Sequence, residues 1–210
     1  TELATVERWC SEDNTWRLSP SFRQPRCGHV GGVVGGSLVI AGGFSGGLLA
    51  SAEAFSPATG WTSLPPMPHA AFRAAAVVLG GRLYVAGGVD CDKLQMWDGT
   101  AWTLKADLPA ERITAASVVV DGKMWVIGGV VRAVATASVI IYDPEMDSWT
   151  TGVPLPARRA ECRATVEHTG SILLVGGDSL RFQDGTWANT PQIPGLAAYL
   201  AGITEGARCC

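Results

Sequence analysis

Histidines, cysteines, paired glycines and a handful of serines are the residues here from which chemistry could be built. The three histidines are His29, His69 and His168. A zinc or copper site needs imidazoles to converge with one another or with thiolates and carboxylates. These three fall at different points of the chain: His29 early in one strand, His69 in a proline-rich link, His168 late in another strand. No metal site and no cofactor are expected. The six cysteines, Cys10, Cys27, Cys91, Cys162, Cys209 and Cys210, contain no Cys-x-x-Cys pair. They are expected to be free thiols of a cytoplasmic protein, with a Cys10–Cys27 disulfide as the alternative. Glycine pairs follow apolar runs, but no helix opens after them, so the context of a phosphate-binding loop is missing. There is no Gly-x-Ser-x-Gly nucleophile turn. The expectation is a protein that is not an enzyme.

The elements that position these residues repeat. Gly42-Gly43, Gly87-Gly88, Gly128-Gly129 and Gly176-Gly177 each close a short apolar run, at offsets of 45, 41 and 48 residues. Trp16, Trp61, Trp102, Trp149 and Trp187 keep the same phase. A second apolar run precedes each glycine-closed one, across Gly35-Gly36, Gly80-Gly81, Asp121-Gly122 or Thr169-Gly170. Such pairs favour two-residue hairpins because both central positions want positive φ. A variable loop, a third strand (Ala52 to Phe55, Ser138 to Tyr142), a second turn and a Trp-bearing fourth strand complete each unit. Four antiparallel strands per forty-odd residues, repeated radially, form the blade of a β-propeller, and the fold class is all-β. The tryptophans are expected between blades rather than on a ligand.

Composition narrows the partners. The chain has 210 residues, 47% hydrophobic and 17% charged, with a net charge of -3. A broad basic face is excluded, so neither nucleic acid nor an anionic membrane is an expected partner. The most apolar stretch, Ala70 to Val89, is interrupted by Arg73 and Arg82 and does not read as a membrane span.

Arg112, Asp121-Gly122, Gly128-Gly129, Tyr142-Asp143 and Trp149 in one unit resemble the Kelch repeat, as do Arg26, Gly36, Gly42-Gly43, Glu53 and Trp61 in another. Two units depart from the pattern. In one the Arg falls at Arg73, two residues late; in the other Arg158, Arg159 and Arg163 compete. Gly28-His29 and Trp97-Asp98 resemble the signature pairs of WD40 repeats, but each occurs once and out of phase. The resemblance divides a single domain, 1–210, into blades at 21–64, 65–107, 108–153 and 154–193. A fifth blade is split between outer strands in 1–20 and inner strands in 194–210, with a first strand at Ala197 to Ile203 and a second cut short at Cys210. Either the termini close a compact five-bladed ring or the chain is part of a larger, six-bladed one.

What the resemblance implies is a protein-protein interaction module. Its partner would be a protein or peptide docked on the rim formed by the loops after the second strands. The Kelch proteins of cullin ubiquitin ligases are similar, so substrate recognition for such a ligase is implied, in a longer chain with BTB, BACK or F-box segments. The position two residues past the pattern Arg maps, counting back from each hairpin turn, to Gly28, Arg73, Thr114 and Cys162. Arg73 reads either as a carboxylate anchor or as a displaced structural Arg bonded to backbone. The rim loops add Phe44, Ser45, Asp90, Asp92, Arg132 and Asp178. The alternatives are a small-molecule or enzymatic propeller, galactose-oxidase-like or epimerase-like, with its site at the channel mouth, or a structural subunit of an assembly. Galactose oxidase shares the Kelch architecture, but its copper ligand set has no counterpart here.

Overall fold

The computed structural model describes residues 3–176 and 178–190. The described residues contain strands, turns and irregular segments and no helix. Strands β1 (Val6–Cys10) and β2 (Thr15–Ser19) form an antiparallel pair. Four sheets of four antiparallel strands follow. Blade 1 is β3 (Val30–Val34), β4 (Ser37–Ala41), β5 (Ala52–Ser56) and β6 (Gly60–Leu64). Blade 2 is β7 (Ala75–Leu79), β8 (Arg82–Ala86), β9 (Leu94–Trp97) and β10 (Trp102–Lys105). Blade 3 is β11 (Ala116–Val120), β12 (Lys123–Ile127), β15 (Val139–Asp143) and β16 (Ser148–Thr151), with a small ribbon, β13 (Val130–Val131) and β14 (Val134–Ala135), in its rim loop. Blade 4 is β17 (Arg163–Val166), β18 (Ile172–Val175), β19 (Leu180–Gln183) and β20 (Thr186–Asn189). Strands within each sheet pair in chain order, so the innermost strand comes first. The inner strands expected at Ala197 to Ile203 and Ala207 to Cys210 lie outside the described residues.

Inner strands of neighbouring blades face one another, β3 to β7, β7 to β11 and β11 to β17. Apolar side chains fill each seam. Val39, Ala41, Leu83, Val85 and Trp97 lie between blades 1 and 2. Tyr84, Met124, Val126 and Tyr142 lie between blades 2 and 3. Ile127, Val139, Ile172, Leu174 and Leu180 lie between blades 3 and 4. Leu83, Met124, Ile127 and Ile172 are completely buried, each stabilising the fold by about 1.5–3 kcal/mol. Residues on both faces of an inner strand are therefore apolar, and small ones let the sheets approach. A Cβ on Gly32 would stand 2.4 Å from a Val78 methyl.

The tryptophans clasp the seams. Four indoles donate Nε1–H to a carbonyl in the segment that leads into their own blade from the preceding strands: Trp61 to Pro20 at 2.6 Å, Trp102 to Pro65 at 3.0 Å, Trp149 to Ala106 at 2.8 Å and Trp187 to Val153 at 3.1 Å. Trp16, on β2, is 65% exposed and packs at a tilt against Trp9, with 5.5 Å between ring centroids.

Candidate functional site

The pattern arginines tie the inner strand of a blade to its own glycine pair. Arg26 donates to the Gly42 and Ser51 carbonyls at 2.7 and 3.0 Å and forms a buried ion pair with Glu53 at 2.9 Å. Glu53 also accepts the Arg23 and Gln24 backbone N–H groups. Arg112 repeats this with the Gly128 and Ser138 carbonyls. In blade 4 the competition among arginines resolves to Arg159, which donates to Gly176 and Asp178 carbonyls. In blade 2 the position belongs to Ala71. Its carbonyl accepts from Gly43 N–H at 2.7 Å, as Arg112 accepts from Gly88 and Arg159 from Gly129. Gln95, fully buried at the position of Glu53, braces the strand instead through both backbone groups of His69.

Two residues past each of these positions the backbone turns left-handed: Gly28 (φ 59), Arg73 (φ 58), Thr114 (φ 52) and Glu161 (φ 59). They are linked from blade to blade. Arg73 N–H donates to Gly28 O at 3.0 Å, Thr114 N–H to Arg73 O at 2.9 Å, and Glu161 N–H to Thr114 O at 2.9 Å. Three non-glycine residues in a sparsely populated conformation, each held by its neighbours, make a strained but rigid arc. The arc lines one side of a cavity of about 550 Å³ between the inner strands, whose walls also include Gly31, Ala76 and Ser117.

Glu161, not Cys162, thus occupies the blade 4 position. Counting back from the hairpin turn misplaces it because the β17–β18 connection is longer than the two-residue turns of blades 1 to 3, with Glu167 N–H bonded to Ser171 O. Cys162 lies in the blade 3–4 seam, 3% exposed, and burial pushes its thiol pKa up. Arg73 is not a displaced structural arginine either. Among the described residues its guanidinium makes none of the carbonyl bonds of Arg26, Arg112 and Arg159 and lies 5.2 Å from the centre of the Phe72 ring.

The loops after the second strands rise on the same rim. Phe44 pairs with Cys27 through backbone bonds of 2.9 and 3.1 Å, and Val130 pairs with Ile113. Ser45 N–H turns back to Gly47 O. Asp90 is exposed with φ 56 and takes its N–H to a Glu111 carboxylate oxygen. Asp92 pairs with Lys93 at 3.2 Å. Arg132 and Ala133, both left-handed, form the exposed turn of the β13–β14 ribbon, an element that Arg-Ala does not announce because neither residue favours positive φ. Asp178 offers its carbonyl to Arg159 and leaves its side chain exposed. Sequence reasoning missed Phe72, whose ring lies 5.7 Å from that of Phe44, and Glu161. The Arg/Gly register across blades was the signal that would have found both.

The histidines do not converge. His168 lies beyond the end of β17, in the turn, and His29 stacks edge-on against Phe22 at 5.5 Å. No group of three potential metal ligands occurs among the described residues. Cys10 carries a free thiol, so the Cys10–Cys27 disulfide is not formed.

Comparison with known proteins follows the same repeats. A model of the Kelch motif matches residues 25–68 and 111–156. Kelch-like protein 35 from Homo sapiens is 42% identical over 82% of this chain and 30% of its own length. Kelch repeat and BTB domain-containing protein 12 from Danio rerio is 27% identical over 80% of this chain and 23% of its own. Kelch domain-containing protein 8B from Rattus norvegicus is 38% identical over 40% of this chain and 26% of its own. The chain spans about a quarter to a third of the length of these curated relatives. Among solved structures, that of YjhT superposes with a TM-score of 0.72 at 15% identity, covering 89% of this chain and 75% of that one. Repeat, seam and similarity agree: this chain belongs to the Kelch-repeat family and folds as four-stranded Kelch blades of a β-propeller.

Proposed function

We propose that this propeller is a non-enzymatic protein-interaction module that receives a loop or peptide of its partner on the rim beside the cavity. The observation that carries this reading is the arc of Gly28, Arg73, Thr114 and Glu161. It is a set of positions, three of them bearing chemically different side chains, held by backbone bonds between blades. Rigid scaffolds that present varied loops suit recognition. The names of Kelch-like and BTB-containing relatives support a finer reading, substrate recognition for a cullin-type ubiquitin ligase within a longer chain. The free thiols of Cys10, Cys91 and Cys162 suit the cytoplasm, and the net charge of -3 suits neither nucleic acid nor membrane as partner.

Affinity capture with wild type and with the Arg73→Ala, Arg132→Ala double variant tests the rim. Specific partners should be lost from the variant while its melting temperature stays within about 2 °C of wild type, since surface changes of this kind move stability by about 0.5 kcal/mol or less. An unchanged partner set sinks the rim reading.

A second reading, a small-molecule site in that cavity, is favoured by one observation. The volume of about 550 Å³ falls within the range of ligand pockets, about 300–1,000 Å³.

A further inference from the structure

Blade 3 keeps the structural arginine of blade 1 and drops the acceptor that goes with it. In blade 1 one oxygen, Glu53 Oε1, accepts from two donors at once, Arg26 Nη2 at 2.9 Å and Gln24 N–H at 3.2 Å. Blade 2 has Ala71 in place of the arginine, and Gln95 Oε1 accepts the matching His69 N–H at 2.8 Å. In blade 3 the arginine is Arg112, and its other bonds repeat those of Arg26. Nη1 donates to the Gly128 and Ser138 carbonyls at 2.6 and 3.2 Å, and Nη2 donates to Ser138 Oγ at 2.8 Å. Ala110 stands where blade 1 has Gln24, two residues before the arginine. Ile140 stands where blade 1 has Glu53, two residues past the serine. An isoleucine accepts nothing.

Charge makes this arrangement costly. Arg112 is 5% exposed, and burial holds its pKa below the ordinary guanidinium value. A buried ion without a counter-charge is expensive. Arg26 has Glu53 at 2.9 Å, and Arg159 is only half-buried. Among the described residues neither Arg112 Nε nor the Ala110 N–H has an acceptor. Nε is left so in Arg26 and Arg159 as well. What sets Arg112 apart is the loss of the oxygen shared with the backbone two residues earlier. Ile140 packs in the seam of blades 2 and 3, and its side chain ends one bond short of where a glutamate carries its oxygen. The point that Glu53 Oε1 reaches in blade 1 therefore lies beyond the end of Ile140.

We infer that blade 3 binds a monatomic anion, chloride in ordinary solution, between Arg112 and the Ala110 N–H, at the point where blade 1 holds Glu53 Oε1. The ion accepts from Arg112 Nη2 and from Ala110 N–H and supplies the missing negative charge. A water molecule accepts the same bonds but leaves the guanidinium uncompensated, so the site selects a halide.

Urea unfolding of the whole chain, with sodium chloride exchanged for sodium gluconate at constant ionic strength, tests this. Stabilisation by chloride should follow a one-site curve, and chloride at ten times its Kd should lower the unfolding equilibrium constant about tenfold. Ile140→Glu restores the blade 1 pair, and Ile140→Gln supplies the amide oxygen of blade 2. Both variants should lose the one-site response. No response in wild type, or an equal response in wild type and Ile140→Glu, overturns the inference. Crystals of the wild-type chain grown in bromide give an independent measurement. Anomalous density should lie within bonding reach of Arg112 Nη2 and Ala110 N. Water at that point, or bromide only elsewhere, overturns the inference even if neither variant folds.

Discussion

At the residue scale, blade 1 and blade 2 solve one problem in two ways. The Arg26–Glu53 pair is buried on both sides, with side-chain exposures of 0% and 4%. Removing one member of such a pair strands a charge and costs about 3–5 kcal/mol, whereas a neutral arrangement of similar shape need cost little. Blade 2 displays the neutral arrangement, Ala71 with Gln95. Arg26→Ala alone is therefore expected to lower stability by about 3–5 kcal/mol in urea unfolding. The double variant Arg26→Ala, Glu53→Gln, which copies blade 2, should recover at least half of that loss. A double variant no more stable than the single one would show that the arginine's bonds to the Gly42 and Ser51 carbonyls, rather than the stranded charge, carry the cost.

At the element scale, the outer turn of blade 3 is welded to blade 2 by one carboxylate. Asp147 Oδ1 accepts the buried Tyr142 hydroxyl at 2.7 Å and Ala106 N–H at 2.9 Å, while Trp149 donates to Ala106 O at 2.8 Å. The Ala106 peptide is thus held from both ends. The Tyr142 hydroxyl, followed by the Ala106 N–H, holds the Asp147 carboxyl below its ordinary value. Burial, followed by the bond to Asp147, pushes the Tyr142 phenol far up. A depressed carboxylate pKa adds stability above the unfolded value, about 3.9, and loses it as pH falls through the folded value. Asp147→Asn, which keeps an acceptor and a residue tolerant of φ 45 but drops the charge, should cost about 1 kcal/mol at pH 7. The gap from wild type should close as unfolding is measured from pH 5 down to pH 3. A gap that is constant with pH would remove the charge from the account.

At the scale of the whole molecule, the seams are not equivalent. Three blades present apolar residues to the next blade along the inner strand: Val30 and Val34, then Ala75 and Val77, then Ala116 and Val118. The matching positions of blade 4 are Arg163 and Thr165, both exposed, with an ion pair of Glu167 and Arg181 at 2.6 Å beside them. On blade 1 the opposite face leaves Val33 58% and Leu38 36% exposed. Blades 2 and 3 are covered on both faces by described blades, and repeat arrays draw much of their stability from such neighbours. Amide hydrogen exchange should therefore be slowest in β8 and β12 and faster in β18. Exchange in β18 as slow as in β8 would contradict this ranking of the seams.

Sequence alone determined the repeat, because the devices that build it are local and recur in phase: the hairpin turns, the glycine pairs with φ between 62 and 143 where described, and the clasping tryptophans. It also located the loops of the rim, since these interrupt the period. Tertiary structure decided which residues line the cavity between the inner strands. That choice follows from backbone register between blades, and a longer connection in blade 4 shifts Glu161 into the place that turn counting assigns to Cys162. It likewise decided that Arg73 makes none of the structural carbonyl bonds and that Phe72 lies over Gly28. Both outcomes depend on bonds and close approaches between residues some forty positions apart, which no local pattern encodes.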